Sequence, residues 1–200
     1  WGIGGCLSFY PAKVAGGLGD GGALITNDEK LASFARSIRD HGRGEKFDAI
    51  NWGRNSRLDA INARVVIERI RNLESLIQKR RELAEIYNNE LHELEKKFFL
   101  KLPPKFSTKS DSISTYQNYE IQAKNKKGLI AHLRKNNIGT IEQWGGFSIA
   151  HFSKLGFNIN NFPKTKLLFD ELLLLPINHM MNKNEIFYIC DSIKNFYLVS

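Results

Sequence analysis

The stretch Ser8-Phe9-Tyr10-Pro11-Ala12-Lys13, followed by Gly16, Gly17, Gly19, Gly21 and Gly22 and then by Ala23-Leu24-Ile25-Thr26, decides how the chain is read. A strand-like apolar run ends on a lysine. A glycine-rich loop then leads into a second apolar run. A lysine that only solvates a surface needs no such setting. One that offers its amine to a carbonyl compound does, because the neutral amine is the nucleophile and burial favours that form. The loop is not a Walker A phosphate loop, since the lysine precedes the glycines and no Gly-Lys-Ser/Thr comes after. The glycines let the backbone approach a partner closely. Spacing alone leaves two readings open, a catalytic lysine and a structural turn. Ser8 lies at an odd offset from Lys13, so both side chains face one ligand only if the chain turns at Pro11.

Working outward, Cys6–Tyr10 and Gly22–Thr26 read as two short buried strands. Asn27-Asp28-Glu29 supplies a cap and an acidic first turn for a helix with Leu31, Phe34, Ala35 and Ile38 on one stripe. That helix ends near His41-Gly42, where glycine suits a left-handed position. Arg43–Arg57 is a polar loop closed by Trp52-Gly53-Arg54-Asn55-Ser56-Arg57, and Ser56 or Asp59 is placed to cap the next helix. From Leu58 the pattern is helical. Ile61, Val65, Val66, Ile70, Leu73 and Ile77 form one stripe, and Leu83, Tyr87, Leu91 and Leu94 form the next. The run is long for a globular helix, which predicts a bend near Leu76–Lys79. Pro103-Pro104 and Ser107–Ser114 form a polar connector.

Beyond the connector, Tyr119, Ile121 and Ala123 alternate as a half-buried strand. Lys126–Asn136 is a short helix, Ile138–Ile141 a second strand, and Thr165–Leu173 a helix stopped by Pro176. Asn182 caps a last helix that turns Ile186, Ile189, Cys190, Ile193 and Tyr197 inward. The fold class expected is α/β. Residues 1–75 belong to a larger domain, 76–110 form the long helix and linker, and 111–200 form a small C-terminal α/β domain.

Composition narrows the function. The 200 residues are 42% hydrophobic and 25% charged, an ordinary balance for a chain with a buried core. No apolar run is long enough to span a membrane, and no signal-peptide pattern is present. Cys6 and Cys190 read as reduced, buried thiols, which fits a cytoplasmic protein. The net charge of +8 invites a nucleic-acid role, but the lysines are scattered and no nucleic-acid-binding signature appears. The histidines show no metal-ligand spacing, and no hydrolase motif is present. Trp144-Gly145-Gly146 suits the wall of a flat pocket or a packed turn. The chain opens at Trp1 on what reads as a domain interior, so a fragment lacking an N-terminal portion is expected.

Several blocks together resemble the DegT/DnrJ/EryC1/StrS family, nucleotide-sugar aminotransferases that use pyridoxal 5′-phosphate (PLP). They are Ser8–Lys13 with Gly19-Asp20-Gly21-Gly22 through Asp28, Arg39–Arg43, Gly53-Arg54-Asn55-Ser56-Arg57-Leu58-Asp59 through Ala63, Arg80-Arg81 through Leu91, and the tail from Leu175-Pro176 to Tyr197. The resemblance implies a fold-type-I PLP-dependent transferase. Lys13 would form the Schiff base with PLP and carry the proton. Ser8 would bind the cofactor phosphate. Asn55 would reach the phosphate of a neighbouring subunit's PLP, which implies a homodimer with shared active sites. Arg57 and Trp144 would serve the substrate side. An amino donor, glutamate, and a keto group on a nucleotide-linked deoxysugar would be the substrates, in surface-polysaccharide or amino-sugar biosynthesis. The segment Glu142–Gly146 departs from the family's aromatic-plus-proline sugar segment. The groups that face the pyridine ring lie upstream of the lysine strand in the family, so the chain alone is expected to hold PLP poorly and to be inactive in transamination. The family's dehydratase branch replaces the lysine by histidine, and Lys13 argues against it. A non-catalytic regulatory or scaffolding member is the other alternative.

Overall fold

The structure is a computed structural model, and it describes residues 2–46, 48–105 and 114–198. The connector expected at Ser107–Ser114 and the boundary at 110/111 fall almost entirely outside them. The chain separates into two compact units, Trp1–Ser75 and Leu76–Ser200.

The first unit begins with a hairpin. Strand β1 (Gly5–Ser8) pairs antiparallel with β2 (Gly22–Ile25), with Gly5 opposite Ile25 and Ser8 opposite Gly22. Helix α1 (Glu29–Arg39) starts at Asp28, whose carboxylate accepts the Leu31 N–H at 3.0 Å, as the sequence predicts. Its C-terminal carbonyls find partners in a returning segment. Arg54 N–H donates to Ile38 O at 2.9 Å, and Ser56 N–H donates to Arg39 O at 2.8 Å. The turn beyond α1 places His41 and Gly42 at φ 61° and 75°. Gly42 and Gly53 lie back to back: a Cβ on Gly53 would sit 2.1 Å from the Gly42 nitrogen, so neither position accepts a side chain. Helix α2 (Ala60–Arg71) comes next, with Asp59 at its N-cap position but making no side-chain cap bond.

Three expectations fail in this unit. Both strands are largely exposed rather than buried, because Phe9, Val14 and Val66 are the only buried apolar side chains among its described residues. Cys6 is exposed for the same reason. On α2, Ile61 and Ile70 face solvent while Val66 is buried, so the inward stripe is narrower than the apolar pattern suggests.

The helical run breaks at Asn72, earlier than predicted, and helix α3 (Leu73–Glu90) begins there. The boundary between the units falls inside α3. The second unit continues with α4 (His92–Lys96), β3 (Leu100–Lys101), β4 (Tyr119–Ala123), α5 (Lys126–Lys135), a string of single 3-10 turns, α6 (Pro163–Glu171), β5 (Leu172–Leu175) and α7 (Lys183–Leu198). Its sheet is antiparallel in the order β3-β4-β5. Tyr119, Ile121 and Ala123 of β4 are buried as their alternation predicts, against Leu83, Ala84, Tyr87, Leu91, Leu129, Leu133, Ile186, Ile189, Cys190 and Ile193. Asn182 and Glu185 exchange backbone bonds in a capping box ahead of α7, at 2.8 and 3.1 Å.

Two expectations change here. Leu172–Leu175 is a strand, not the end of a helix: α6 stops at Glu171, and the four leucines pair with β4. Ile138–Ile141 forms no strand; it contributes one bridge, Ile141 to Leu174.

Candidate active site

The lysine segment is built from two successive turns. Lys13 N–H donates to Tyr10 O, and Gly16 N–H donates to Lys13 O, both at 2.8 Å. The chain therefore does turn at Pro11, the condition under which Ser8 and Lys13 share a side. Gly17 N–H then donates to Phe9 O at 2.8 Å and closes the loop at its base, while Phe9 N–H donates to Gly21 O. Phe9, Val14, Gly16 and Gly17 are the buried members of this loop, and Lys13 is exposed. The burial predicted for Lys13 is thus absent: the turns aim its side chain outward while the small and apolar residues fill the inside. Ser8 is also exposed, and its Oγ accepts the Tyr10 N–H at 3.3 Å.

The second cluster sits between α1 and α2. Asp40 and Asn55 form an isolated bridge. Arg57 donates from Nε to Asn55 Oδ1 and from a terminal nitrogen to Asp40 Oδ1, both at 3.1 Å. The carboxamide of Asn55 therefore turns its oxygen toward Arg57, leaving the NH2 end as its donor side. The Ser8 and Lys13 side chains are not hydrogen-bonded to Asn55 or Arg57. Both clusters belong to the first unit.

Trp144 belongs to the second unit. It is exposed, and Trp144, Gly145 and Gly146 are all left-handed, at φ 53°, 67° and 82°. This turn is held by Glu142, whose carboxylate lies 2.9 Å from Lys126 Nζ. Lys126 is buried and also donates to Phe169 O at 2.6 Å. The sequence reading missed this lysine, because nothing local distinguishes it from the exposed lysines around it.

It also missed Asn62. This side chain is buried on α2, and its Oδ1 accepts the Leu18 N–H at 2.8 Å. Its Nδ2 donates to Gly19 O and Asp20 O at 3.4 and 3.3 Å. A signal was available: Leu58, Asn62 and Val66 recur at four-residue spacing, so the asparagine occupies a core-facing position.

As a donor set these residues fit a phosphorylated aldehyde cofactor in kind. An exposed primary amine can meet the aldehyde, and the Ser8 hydroxyl and Asn55 NH2 are hydrogen-bond donors suited to a phosphate. Among the described residues there is no metal-ligating cluster, and no helix is long and apolar enough to cross a membrane.

The first unit thus carries an exposed lysine on a glycine-closed hairpin and an Asn-x-Arg segment leading into a helix. The chain belongs to the DegT/DnrJ/EryC1/StrS aminotransferase family, whose model matches residues 1–194. It is 29% identical over 175 residues to dTDP-3-amino-3,4,6-trideoxy-alpha-D-glucose transaminase of Micromonospora megalomicea subsp. nigra, covering 86% of this chain and 46% of that protein. It is 30% identical over 192 residues to the erythromycin biosynthesis sensory transduction protein EryC1 of Saccharopolyspora erythraea, covering 94% of this chain and 50% of that protein. Among solved structures it resembles S. venezuelae DesV in complex with a ketimine intermediate, with a TM-score of 0.86 and 27% identity, covering 98% of this chain and 52% of that one. The chain thus spans about half the length of the relatives it matches. The fold is the mixed α/β fold of these aminotransferases.

Proposed function

We propose that this chain is part of a cytoplasmic PLP-dependent aminotransferase. Its reaction moves an amino group from glutamate to a keto group of a nucleotide-linked deoxysugar, in surface-polysaccharide or amino-sugar biosynthesis. The observation that carries the reading is the Lys13 turn, which fixes the backbone on both sides of an exposed primary amine. The named activity of the Micromonospora relative supports the substrate class.

In this reading Lys13 binds the cofactor aldehyde through Nζ, and the same amine moves a proton during transfer. PLP, when bound, supplies the electron sink that makes this proton labile. Ser8 Oγ and the Asn55 NH2 donate to the cofactor phosphate, Asn55 doing so across the interface of a homodimer. Arg57, aimed by Asp40, offers the remaining guanidinium donors to a substrate anion. Trp144 presents an exposed flat apolar face of the kind that stacks on a sugar ring.

The test is borohydride treatment of the whole enzyme of which this chain is part, in the presence of PLP, followed by peptide mapping. A stable adduct concentrated on Lys13 is expected. Labelling spread evenly over the surface lysines would sink the reading. In the whole enzyme of which this chain is part, Lys13→Ala should lower amino transfer from glutamate by roughly 10²–10⁴-fold, the usual worth of a positioned acid–base group. Mixing Lys13→Ala and Asn55→Ala proteins should restore activity if Asn55 acts across subunits, and restore none if it acts within one. The relative named for sensory transduction favours a second reading, a regulatory member; such a protein would keep its biological effect after Lys13→Ala.

A further inference from the structure

We infer that Asn62 is a positioning residue: its carboxamide registers the Lys13 loop against the Asn55–Arg57 segment that leads into α2. The inference rests on Lys13 being the reactive amine. The loop is stitched to the end of β1 at two points, by Gly17 N–H to Phe9 O and by Phe9 N–H to Gly21 O. Between those stitches, the Leu18 N–H donates to Asn62 Oδ1, and the Gly19 and Asp20 carbonyls accept from Asn62 Nδ2. The amide thus acts as a substitute peptide group, using both of its N–H donors and its oxygen at once. The Gly17 backbone packs directly on it: a Cβ there would sit 1.9 Å from Asn62 Oδ1.

Gly17 is also the residue whose N–H closes the Lys13 turn, so displacing it moves the base on which Lys13 stands. Asn62 is anchored on α2, immediately after Asn55 and Arg57. Leu58 completes the contact, since a Cβ on Gly21 would lie 2.8 Å from Leu58 Cδ1. Asparagine is a weaker helix former than alanine and is costly to bury unpaired, so a buried asparagine on a helix is retained for its partners. Here those partners are all in the lysine loop.

The experiment is reductive trapping of the whole enzyme of which this chain is part, with pyridoxal phosphate and borohydride, read as the ratio of adduct at Lys13 to adduct at Lys30, an exposed lysine of the same unit. Three variants are compared. Asn62→Asp keeps the acceptor for Leu18 but sets an oxygen against two carbonyls. Asn62→Gln retains the carboxamide. Gly17→Ala pushes on the clamp from the loop side and leaves Asn62 intact. The Lys13/Lys30 ratio should fall about tenfold in Asn62→Asp and in Gly17→Ala, with part of the loss regained in Asn62→Gln. Amide exchange should quicken at Leu18 while the β1–β2 ladder stays protected. An unchanged ratio with a faster Leu18 amide overturns the inference. So does a ratio lost only together with ladder protection, which would make Asn62 a stabiliser and not a positioner. If the unsubstituted protein labels Lys13 no more than Lys30, the reading of Lys13 itself fails, and that outcome is recognisable before any variant is made.

Discussion

The two units reach order by different means. The second has a continuous apolar core in which Tyr87 and Tyr119 stack at 4.5 Å, surrounded by leucines and isoleucines from four helices and the sheet. The first has three buried apolar side chains among its described residues, and depends on caps, close glycine contacts and side chains bonded to backbone. All the residues assigned to the cofactor lie in the first. The chain spans about half the length of its relatives, so the sparse packing of the first unit is a property of this chain alone; within it, the Lys13 loop and the Asn55–Arg57 segment are held by directional hydrogen bonds.

The contrast can be broken or sharpened by substitution. Leu129→Ala, in the core of the second unit, should cost about 2–5 kcal/mol in a denaturant melt. Leu24→Ala, on the part-exposed β2, should cost no more than about 1 kcal/mol. Equal losses would show that the first unit is held by packing after all.

A pH series separates the units next. Burial raises the Cys190 thiol from its ordinary 9.0 to about 12, and burial raises the Tyr87 and Tyr119 phenols as well. The folded state therefore keeps protons that the unfolded chain releases. This contribution is fully present below about pH 9 and is lost as pH rises from there toward 12. Melts between pH 7 and 11 should be flat and then fall. Cys190→Ala should remove the earliest part of the decline; a decline unaffected by it would assign the loss elsewhere.

Tyr119→Phe is smaller still. It removes a buried bond of 2.8 Å to Asn88 Oδ1 and leaves that oxygen unpaired, a cost of about 1–3 kcal/mol. Asp28→Ala should cost about 1 kcal/mol, the ordinary value of an N-cap. Because the first unit has little else to hold α1, that loss should show as faster amide exchange at Leu31 and its neighbours, with α7 unaffected. Exchange rising equally in both would erase the distinction.

How much the sequence disclosed depends on the range of each interaction. Asp28, the Asn182 cap and the alternation of Tyr119, Ile121 and Ala123 are local, and each was legible. Leu172–Leu175 was misread because an unbroken apolar run has no period to tell strand from helix, and β4 alone decides it. The exposure of Lys13, Cys6, Ile61 and Ile70 depends on what packs over them, which no local pattern encodes. Within the candidate site, the blocks around Ser8–Lys13 and Asn55–Arg57 were visible as motifs. Asn62 stands inside the second block and at a core-facing spacing, but its role was not legible, because its partners stand more than forty residues earlier in the chain; the pairing of Lys126 with Glu142 was hidden as well.

The back-to-back glycines at 42 and 53 carry a further consequence, for how this sequence can drift. Gly53 is held to glycine by the Gly42 backbone, and Gly42 by its positive φ and the Asn51 carbonyl, so a side chain at either position meets fixed backbone. A change at one cannot be rescued by a compensating change at the other, since glycine is already the smallest residue. Descendants of this chain should therefore keep both or abandon the local backbone path altogether, and that path is the one that delivers Asn55 to its place.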